Sequence, residues 1–526
     1  MTGCVFICAL IILGRLFYCQ IIDNSLIKAA TNIENTGHQR AEIFATDKTG
    51  KDWPIAVNIV MWRLIADPSK IDEPVSTLKI LSPFLDIPSK FFDEDFLEDS
   101  EENLEFKKLV NRLSNKNSYY EILKIVDREE KEKIEQMRIP GIYFEEIDGR
   151  FWPEKDYFGQ ITGFTRLENG KLVGQYGLEK LIDESDNKNL YITIDRTLQF
   201  FSCQLLKESL KNYKAEGGTI IVLNKEGAIK AMCNLPSFDP NDYSSISDFH
   251  LFQNASIETP YEPGSIFKMI TMAAGLDSKK VKPETTYFDQ GFVKIGPEPK
   301  IIKNSTGQSY GEQTMTNVLE KSLNTGAVWV AKQVGRDLFK YYVKEFGFGS
   351  LSGVELPEEA KGNIDNLDKP SEIYLATASF GQGLTTTSLQ LANAFLAVAN
   401  QGKLYRPYIL RETGPYFVKQ VISEEAAEDL TEMLVSVVEN GYGRRAKVAG
   451  YKVAGKTGTA EVPEEGEYKG KVIHSFVGFA PAENPEFVAL VKLDNPQIGT
   501  FSEYTAVPVF GQLADFVLKY YRIPPQ

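Results

Sequence analysis

In the run Tyr261-Glu262-Pro263-Gly264-Ser265-Ile266-Phe267-Lys268-Met269-Ile270-Thr271-Met272-Ala273-Ala274-Gly275-Leu276, Pro263-Gly264 reads as a turn that starts a helix. Beyond the turn nearly every residue is apolar, all round the helix rather than along one stripe. A helix of that kind is buried centrally. Ser265 and Lys268 are its conspicuous polar members, three apart on one face. A buried lysine is costly unless it finds partners or sheds its proton. A neutral amine beside a serine hydroxyl is a general base beside a nucleophile. Ser265 also stands at the helix N-terminus, where backbone N–H groups and the dipole favour developing negative charge. The plain alternative is a helix cap with a snorkelling lysine, because S-x-x-K alone arises by chance in many chains.

Two further segments carry weight. Lys321-Ser322-Leu323-Asn324-Thr325-Gly326 lies between two helical stretches, and Ala454-Gly455-Lys456-Thr457-Gly458-Thr459-Ala460 ends a strand-like run. Around them Leu190–Ile194 reads as a strand, and Asp195 as the cap of a helix running to about Tyr213. Gly218–Leu223 and Gly227–Met232 read as a hairpin turning at Asn224-Lys225-Glu226. Val448–Ala460, Lys471–Ala480 and Glu486–Leu493 read as the last strands. Strands at both ends with helices between them predict an α+β domain whose sheet brings the two ends together. Residues 23–185 are mixed, with a strand or strand pair over Ile55–Ala66 and a charged helix over Asp127–Gln136 that stops before Pro140-Gly141.

At 526 residues, 43% hydrophobic and 25% charged, the chain is neither disordered nor fibrous, and its length suggests roughly three to four domains. It has 3 histidines, His38, His250 and His474, which argues against a multi-histidine metal centre and predicts that the base of an activated nucleophile is not histidine. His474, beside Ser475, reads as structural or cleft-lining. A net charge of −14 argues against general nucleic-acid binding. Thr2–Ile22 matches the ~20 residues of a bilayer span, with Arg15 snorkelling near its far end, and reads as an uncleaved anchor. Only Met1 precedes it, so no flanking cation gives its orientation. Cys203 and Cys233 leave two readings open, a bridge or two buried thiols. The acidic run Phe92–Glu105 and the basic Arg444-Arg445-Lys447 both read as solvated surface.

Jointly, S-x-x-K, S-x-N and K-T-G in this order form the signature of penicillin-binding proteins and serine β-lactamases. The chain resembles a class B penicillin-binding protein, a monofunctional peptidoglycan D,D-transpeptidase of division or elongation type. The likeness spans nearly the whole chain. It includes Arg15-Leu16-Phe17-Tyr18, Arg150-Phe151-Trp152-Pro153, Gly174-Gln175-Tyr176-Gly177-Leu178-Glu179, Thr193-Ile194-Asp195, Asn234-Leu235-Pro236-Ser237-Phe238-Asp239-Pro240-Asn241, Phe380-Gly381-Gln382-Gly383 and Ser475-Phe476-Val477-Gly478-Phe479. Arg40-Ala41 departs from the family's Arg-Gly, and Leu323 stands where the second motif often has Asp.

The resemblance implies a transmembrane anchor over 1–22 and an extended mixed α/β pedestal of the dimerisation type over 23–185. The transpeptidase domain follows over 186–526, an antiparallel sheet with helices. It implies Ser265 as nucleophile, Lys268 as base, Ser322 and Lys456 as the route of the proton to the leaving amine, and Asn324 orienting Lys268 and the substrate amide. Thr457 and Thr459 would hold the substrate carboxylate. Gly458 would let substrate backbone approach the strand, and backbone N–H groups of Ser265 and Thr459 would hold the oxyanion. No metal or cofactor is implied. Implied partners are peptidoglycan stem peptides, β-lactams, a multi-spanning membrane glycan polymerase and other cell-wall synthesis proteins. The catalytic domain would lie on the extracytoplasmic side of the cell membrane. The competing readings are a β-lactamase or D,D-carboxypeptidase, a bifunctional class A enzyme, and a non-catalytic β-lactam sensor or scaffold. The absence of long insertions favours a division role.

Overall fold

The computed structural model describes residues 40–92, 101–117, 120–168, 170–464 and 467–525. The expected N-terminal anchor, and most of the acidic run after Phe92, lie outside the described residues. Among the described residues no helix is long and apolar enough to cross a membrane, and no cluster of three or more His, Cys, Asp or Glu side chains is placed to hold a metal. The chain forms two compact units. One comprises Ala56–Pro153 and Thr165–Val173, the other Ala41–Ile55, Glu154–Phe164 and Gly174 onward.

In the first unit the part of the strand Trp53–Ala66 from Ala56 onward pairs antiparallel with Ile142–Phe151, from Val57 opposite Phe151 to Ala66 opposite Ile142, and with Glu121–Val126. The alternation of a half-buried strand places Trp62, Leu64 and Ala66 inward, against Leu78, Leu81 and Ile134 of the amphipathic helices Pro74–Leu85 and Arg128–Gln136. Asp127 caps the latter by accepting from Glu130 N. Arg150 is buried and donates to Asn58 Oδ1 at 3.2 Å, and Asn58 donates to the Arg40 carbonyl at 2.6 Å. The buried guanidinium thus has a partner within its own unit.

The second unit is built on an antiparallel five-stranded sheet. Among its elements, in chain order, are β1 (Leu190–Asp195), α1 (Arg196–Tyr213), β2 (Gly217–Asn224), β3 (Ile229–Leu235), α2 (Lys268–Asp277), β4 (Thr286–Asp289), β5 (Phe292–Ile295), β6 (Lys300–Lys303), β7 (Gly311–Thr314), α3 (Met315–Glu320), α4 (Asn324–Val334), α5 (Ser388–Ala399), α6 (Glu424–Glu439), β8 (Ala454–Glu464), β9 (Glu467–Ala480), β10 (Phe487–Asp494) and α7 (Ala506–Tyr520). The sheet runs β8-β9-β10-β2-β3. Its central joint pairs Phe487–Asp494 with Asn224–Gly217, so chain segments far apart in sequence are neighbours, as the strand pattern implies. Alternate residues of the central strands, Ile220 and Val222 among them, meet α1 and α7 in one apolar cluster with Leu206, Phe510 and Leu513. The intervening residues Ile221, Leu223 and Leu490 are equally buried and point to the other face, where α5 covers β2, β9 and β10. All twelve residues of α5 are buried, and so is α2 from Lys268 to Leu276. The 14-residue Trp53–Ala66 and the charged helix match the sequence reading closely.

Two expectations change. The predicted strand Val448–Ala460 begins only at Ala454, because the chain turns at Ala449-Gly450, where Gly450 has φ +83°, leaving Val448 and Tyr451 as an isolated bridge. The open question about Cys203 and Cys233 resolves as a disulfide, with Cα atoms 5.5 Å apart, joining α1 to β3.

Asp195 ties the unit's two ends. It accepts from Thr197 and Leu198 N at the start of α1, and from the hydroxyls of Tyr520 and Tyr521 at 3.0–3.2 Å. Replacing it by Ala removes a helix cap and leaves two tyrosine hydroxyls without their acceptor. The expected loss is about 2 kcal/mol or more, read as a lower thermal midpoint. Asp195→Asn, which still caps, is expected to lose less.

Candidate active site

Ser265 lies in a tight turn, Gly264–Phe267, that leads directly into α2 at Lys268. The turn exists because Gly264 takes φ +56°; a side chain there would bring its Cβ 2.9 Å from the Thr459 carbonyl. Gly264 N donates to the Gly381 carbonyl at 3.0 Å, and a Cβ on Gly381 would come 2.1 Å from the Gly264 carbonyl. The Phe380-Gly381-Gln382-Gly383 segment therefore acts as a backbone shelf under the nucleophile. It is held further by Gly383 N donating to Glu262 Oε1 at 2.9 Å.

Lys268 is 1% exposed. Its Nζ stands 2.9 Å from Ser265 Oγ, 2.5 Å from the Ser322 carbonyl and 3.1 Å from Ser322 Oγ. Lys456, fully buried on edge strand β8, places its Nζ 3.0 Å from the same Ser322 Oγ and 3.1 Å from the hydroxyl and carbonyl of Thr457. Ser322 is thus shared by two amines. It adopts φ +52°, a region sparsely populated by residues other than glycine, in the corner between α3 and α4. Burial drives the Lys268 amine far below the usual lysine range, and the Lys456 ammonium pushes it further the same way. Burial alone lowers Lys456, to about 7. The Lys268 amine, lowered in basicity and 2.9 Å from Ser265 Oγ, has the placement a general base requires.

The structure brings together Ser265, Lys268, Ser322, Lys456 and Thr457. Thr459 lies two residues further on the same edge strand, its hydroxyl 3.4 Å from Ser502 Oγ and Ser502 N, partners not foreseen from sequence. Gly458 has a reason besides substrate approach: a Cβ there would come 2.5 Å from Ser475 Oγ and 2.7 Å from Ile266 Cγ1, so only glycine lets the nucleophile turn lie against β8. Asn324 differs from expectation. Its amide donates to the Lys303 carbonyl at 2.9 Å, not to Lys268, which is already filled by Ser265 and Ser322. His474 is buried opposite Thr459 in register, bonds Thr505 at 2.9 Å, and is held down to about 4 by burial, so it stays neutral at pH 7. That agrees with a structural role.

The sequence matches two family models: penicillin binding protein transpeptidase domain over residues 217–515, and penicillin-binding protein dimerisation domain over residues 37–185. It is 31% identical over 491 residues to Stage V sporulation protein D of Bacillus subtilis, covering 85% of this chain and 73% of that protein. It is 26% identical to the peptidoglycan D,D-transpeptidase FtsI of Escherichia coli (strain K12), covering 100% of this chain and 92% of the relative. The fold is similar to crystal structures of penicillin binding protein 3 from Mycobacterium tuberculosis. The apo form gives a TM-score of 0.66 at 26% identity over 72% of this chain and 92% of that one. The ampicillin complex gives 0.66 at 27%, over 73% and 91%.

The like charge at Lys456 sets a pH test. Lys456→Met removes the repulsion that helps keep Lys268 unprotonated, so Lys268 holds its proton to higher pH. The acid limb of the pH–rate profile for acylation of Ser265 by benzylpenicillin is expected to move upward. An unmoved limb would assign the whole shift to burial.

Proposed function

Because the chain belongs to the class B penicillin-binding proteins, we propose that it is a peptidoglycan D,D-transpeptidase that cross-links stem peptides through a Ser265 acyl-enzyme. The observation that carries the reading is the Ser265–Lys268–Ser322–Lys456 chain of contacts at 2.9, 3.1 and 3.0 Å. Ser265 Oγ attacks the carbonyl between two D-alanines while its proton passes to Lys268. The C–N bond breaks, and the proton reaches the leaving D-alanine amine through Ser322, with Lys456 beside it. The amine of a second stem peptide then attacks the ester, forms the new amide and returns a proton to Ser265. Backbone N–H groups of Ser265 and Thr459 serve the oxyanion. The Thr457 and Thr459 hydroxyls receive the substrate carboxylate, and β8, a sheet edge, pairs with extended substrate backbone. Asn324, freed from Lys268, is left for the substrate amide.

The organisation proposed with this function is an anchor over 1–22, a pedestal over 23–185 and the catalytic domain over 186–526, with that domain extracytoplasmic. The Cys203–Cys233 bridge supports an oxidising compartment. The proposed partners remain a multi-spanning membrane glycan polymerase and other cell-wall synthesis proteins. A division role is favoured by the full-length likeness to FtsI, a sporulation role by the higher identity to Stage V sporulation protein D.

Intact-mass analysis after benzylpenicillin treatment is expected to show one adduct, mapped to the peptide holding Ser265, that persists for many minutes and is absent from Ser265→Ala. Turnover within seconds would point to a β-lactamase or carboxypeptidase. Purification of the full chain in mild detergent is expected to recover the glycan polymerase; its repeated absence would count against that partner.

A further inference from the structure

Helix α4, which follows Ser322-Leu323, has no side-chain cap of its own, because Leu323 occupies its N-cap position. The missing acceptors come from Lys303, the last residue of β6, and from Asn304, which follows it. Thr325 N donates to Asn304 Oδ1 at 3.2 Å, and Asn324 Nδ2 donates to the neighbouring Lys303 carbonyl at 2.9 Å. Asn304 is itself gripped by Asp289, its Nδ2 lying 3.1 and 3.0 Å from the two carboxyl oxygens. Asp289 also accepts from the Thr325 hydroxyl at 2.8 Å and from Gly291 N and Tyr310 N at 2.9 and 3.0 Å. Tyr287 OH lies 3.1 Å from Thr325 Oγ1. A hydroxyl carries one proton, so Thr325 gives its own to the carboxyl at the shortest contact and accepts that of Tyr287.

This is a costly way to cap a helix. Asp289 is 0% exposed, and all these donors are neutral. A Ser or Thr at position 323 would cap the same turn without burying a carboxyl. What the remote carboxyl adds is a fixed link between β4–β7 and the residues just after Ser322. Ser322 needs such a link: it holds a left-handed backbone conformation and must keep one hydroxyl within reach of two amines. On its other side Leu323 N bonds the Val318 carbonyl at 2.9 Å, so the corner is pinned from both ends.

We propose that Asp289 is a positioning residue for acyl transfer: acting through Asn304 and Thr325, it fixes the first turn of α4 and thereby holds Ser322 Oγ between Lys268 and Lys456. The proposal rests on the transpeptidase reading. It also assigns the strands β4–β7 a part in catalysis, although they contribute no side chain to the Ser265 cluster.

The test uses the full chain in detergent and a fluorescent penicillin, with the initial binding constant and the acylation rate constant resolved separately and thermal midpoints measured alongside. In Asp289→Asn and in Thr325→Val the acylation rate constant is expected to fall about tenfold to a hundredfold, with the binding constant little changed. Thr325→Ser, which keeps the hydroxyl, is expected to acylate nearly as fast as the parent chain. A purely structural role predicts lower midpoints with an unchanged rate constant for the folded fraction, and that result would overturn the proposal. So would Thr325→Ser acylating as slowly as Thr325→Val. Should Asp289→Asn fail to fold, the Thr325 pair still decides. A parent chain that takes no label at Ser265 sinks the transpeptidase reading itself; a labelled parent with unaffected variants sinks only the role of Asp289.

Discussion

Two buried lysine amines converge on one serine hydroxyl, and the rest of the catalytic unit is arranged to make that tolerable. Neither amine can be brought into a dry interior as an isolated ammonium without a large desolvation cost. Each is therefore surrounded by oxygen acceptors, and one is displaced far toward its neutral form. The constraint explains why the site cannot be local. Lys268 comes from a central helix, Ser322 from a strained corner between two helices, and Lys456 from the edge of the sheet. Each element needs its own apolar packing to hold an amine or hydroxyl to within a few tenths of an ångström. The helices around α2 and the two-sided cover of the sheet provide it.

The second requirement is close approach of backbones. The nucleophile turn touches β8 and the Gly381 loop at distances only glycine allows, and three glycines, Gly264, Gly381 and Gly458, stand where those contacts fall. The transpeptidase site is thus a junction of three main-chain segments on which the polar side chains are mounted. Rigidity there follows from sterics together with the Gly264–Gly381 and Gly383–Glu262 hydrogen bonds. It suits chemistry in which the attacking oxygen, the base and the edge strand must keep one geometry through two successive acyl transfers.

Much of this was legible before any coordinate. The apolar run all round the helix pointed to burial of Lys268 but left a snorkelling lysine open, and its 1% exposure decides for burial. The β2–β3 hairpin, the helix capped by Asp195 and the final strands were visible in their periodicity and turn residues. What escaped depends on distances between remote segments. Nothing near Asn324 reveals that Lys303 supplies its acceptor, because that bond is made by a strand 21 residues away that packs back on the helix. Asp289 and Asn304 meet around Thr325 from segments 15 and more residues apart, a union no local pattern shows. Cysteine spacing likewise carries no distance, so the bridge to Cys233 stayed open until α1 and β3 were seen side by side. The late start of that predicted strand, at Ala454 rather than Val448, reflects the turn at Gly450, whose φ is +83°.

The strand order has a consequence for how the molecule comes into being. A ribosome delivers β2 and β3 early and β8, β9 and β10 last, after more than two hundred intervening residues, yet β10 is the direct neighbour of β2. Until those final strands emerge, the hairpin has an unpaired edge and Ser265 has no Lys456 across from it. A nascent chain therefore carries Ser265 for about a third of its synthesis without the edge strand that stands beside it. Assembly of the sheet and completion of the proton path are one event, set by a long-range pairing that is slow to find. The topology leaves Ser265 without its neighbouring edge strand until the final strands have been made.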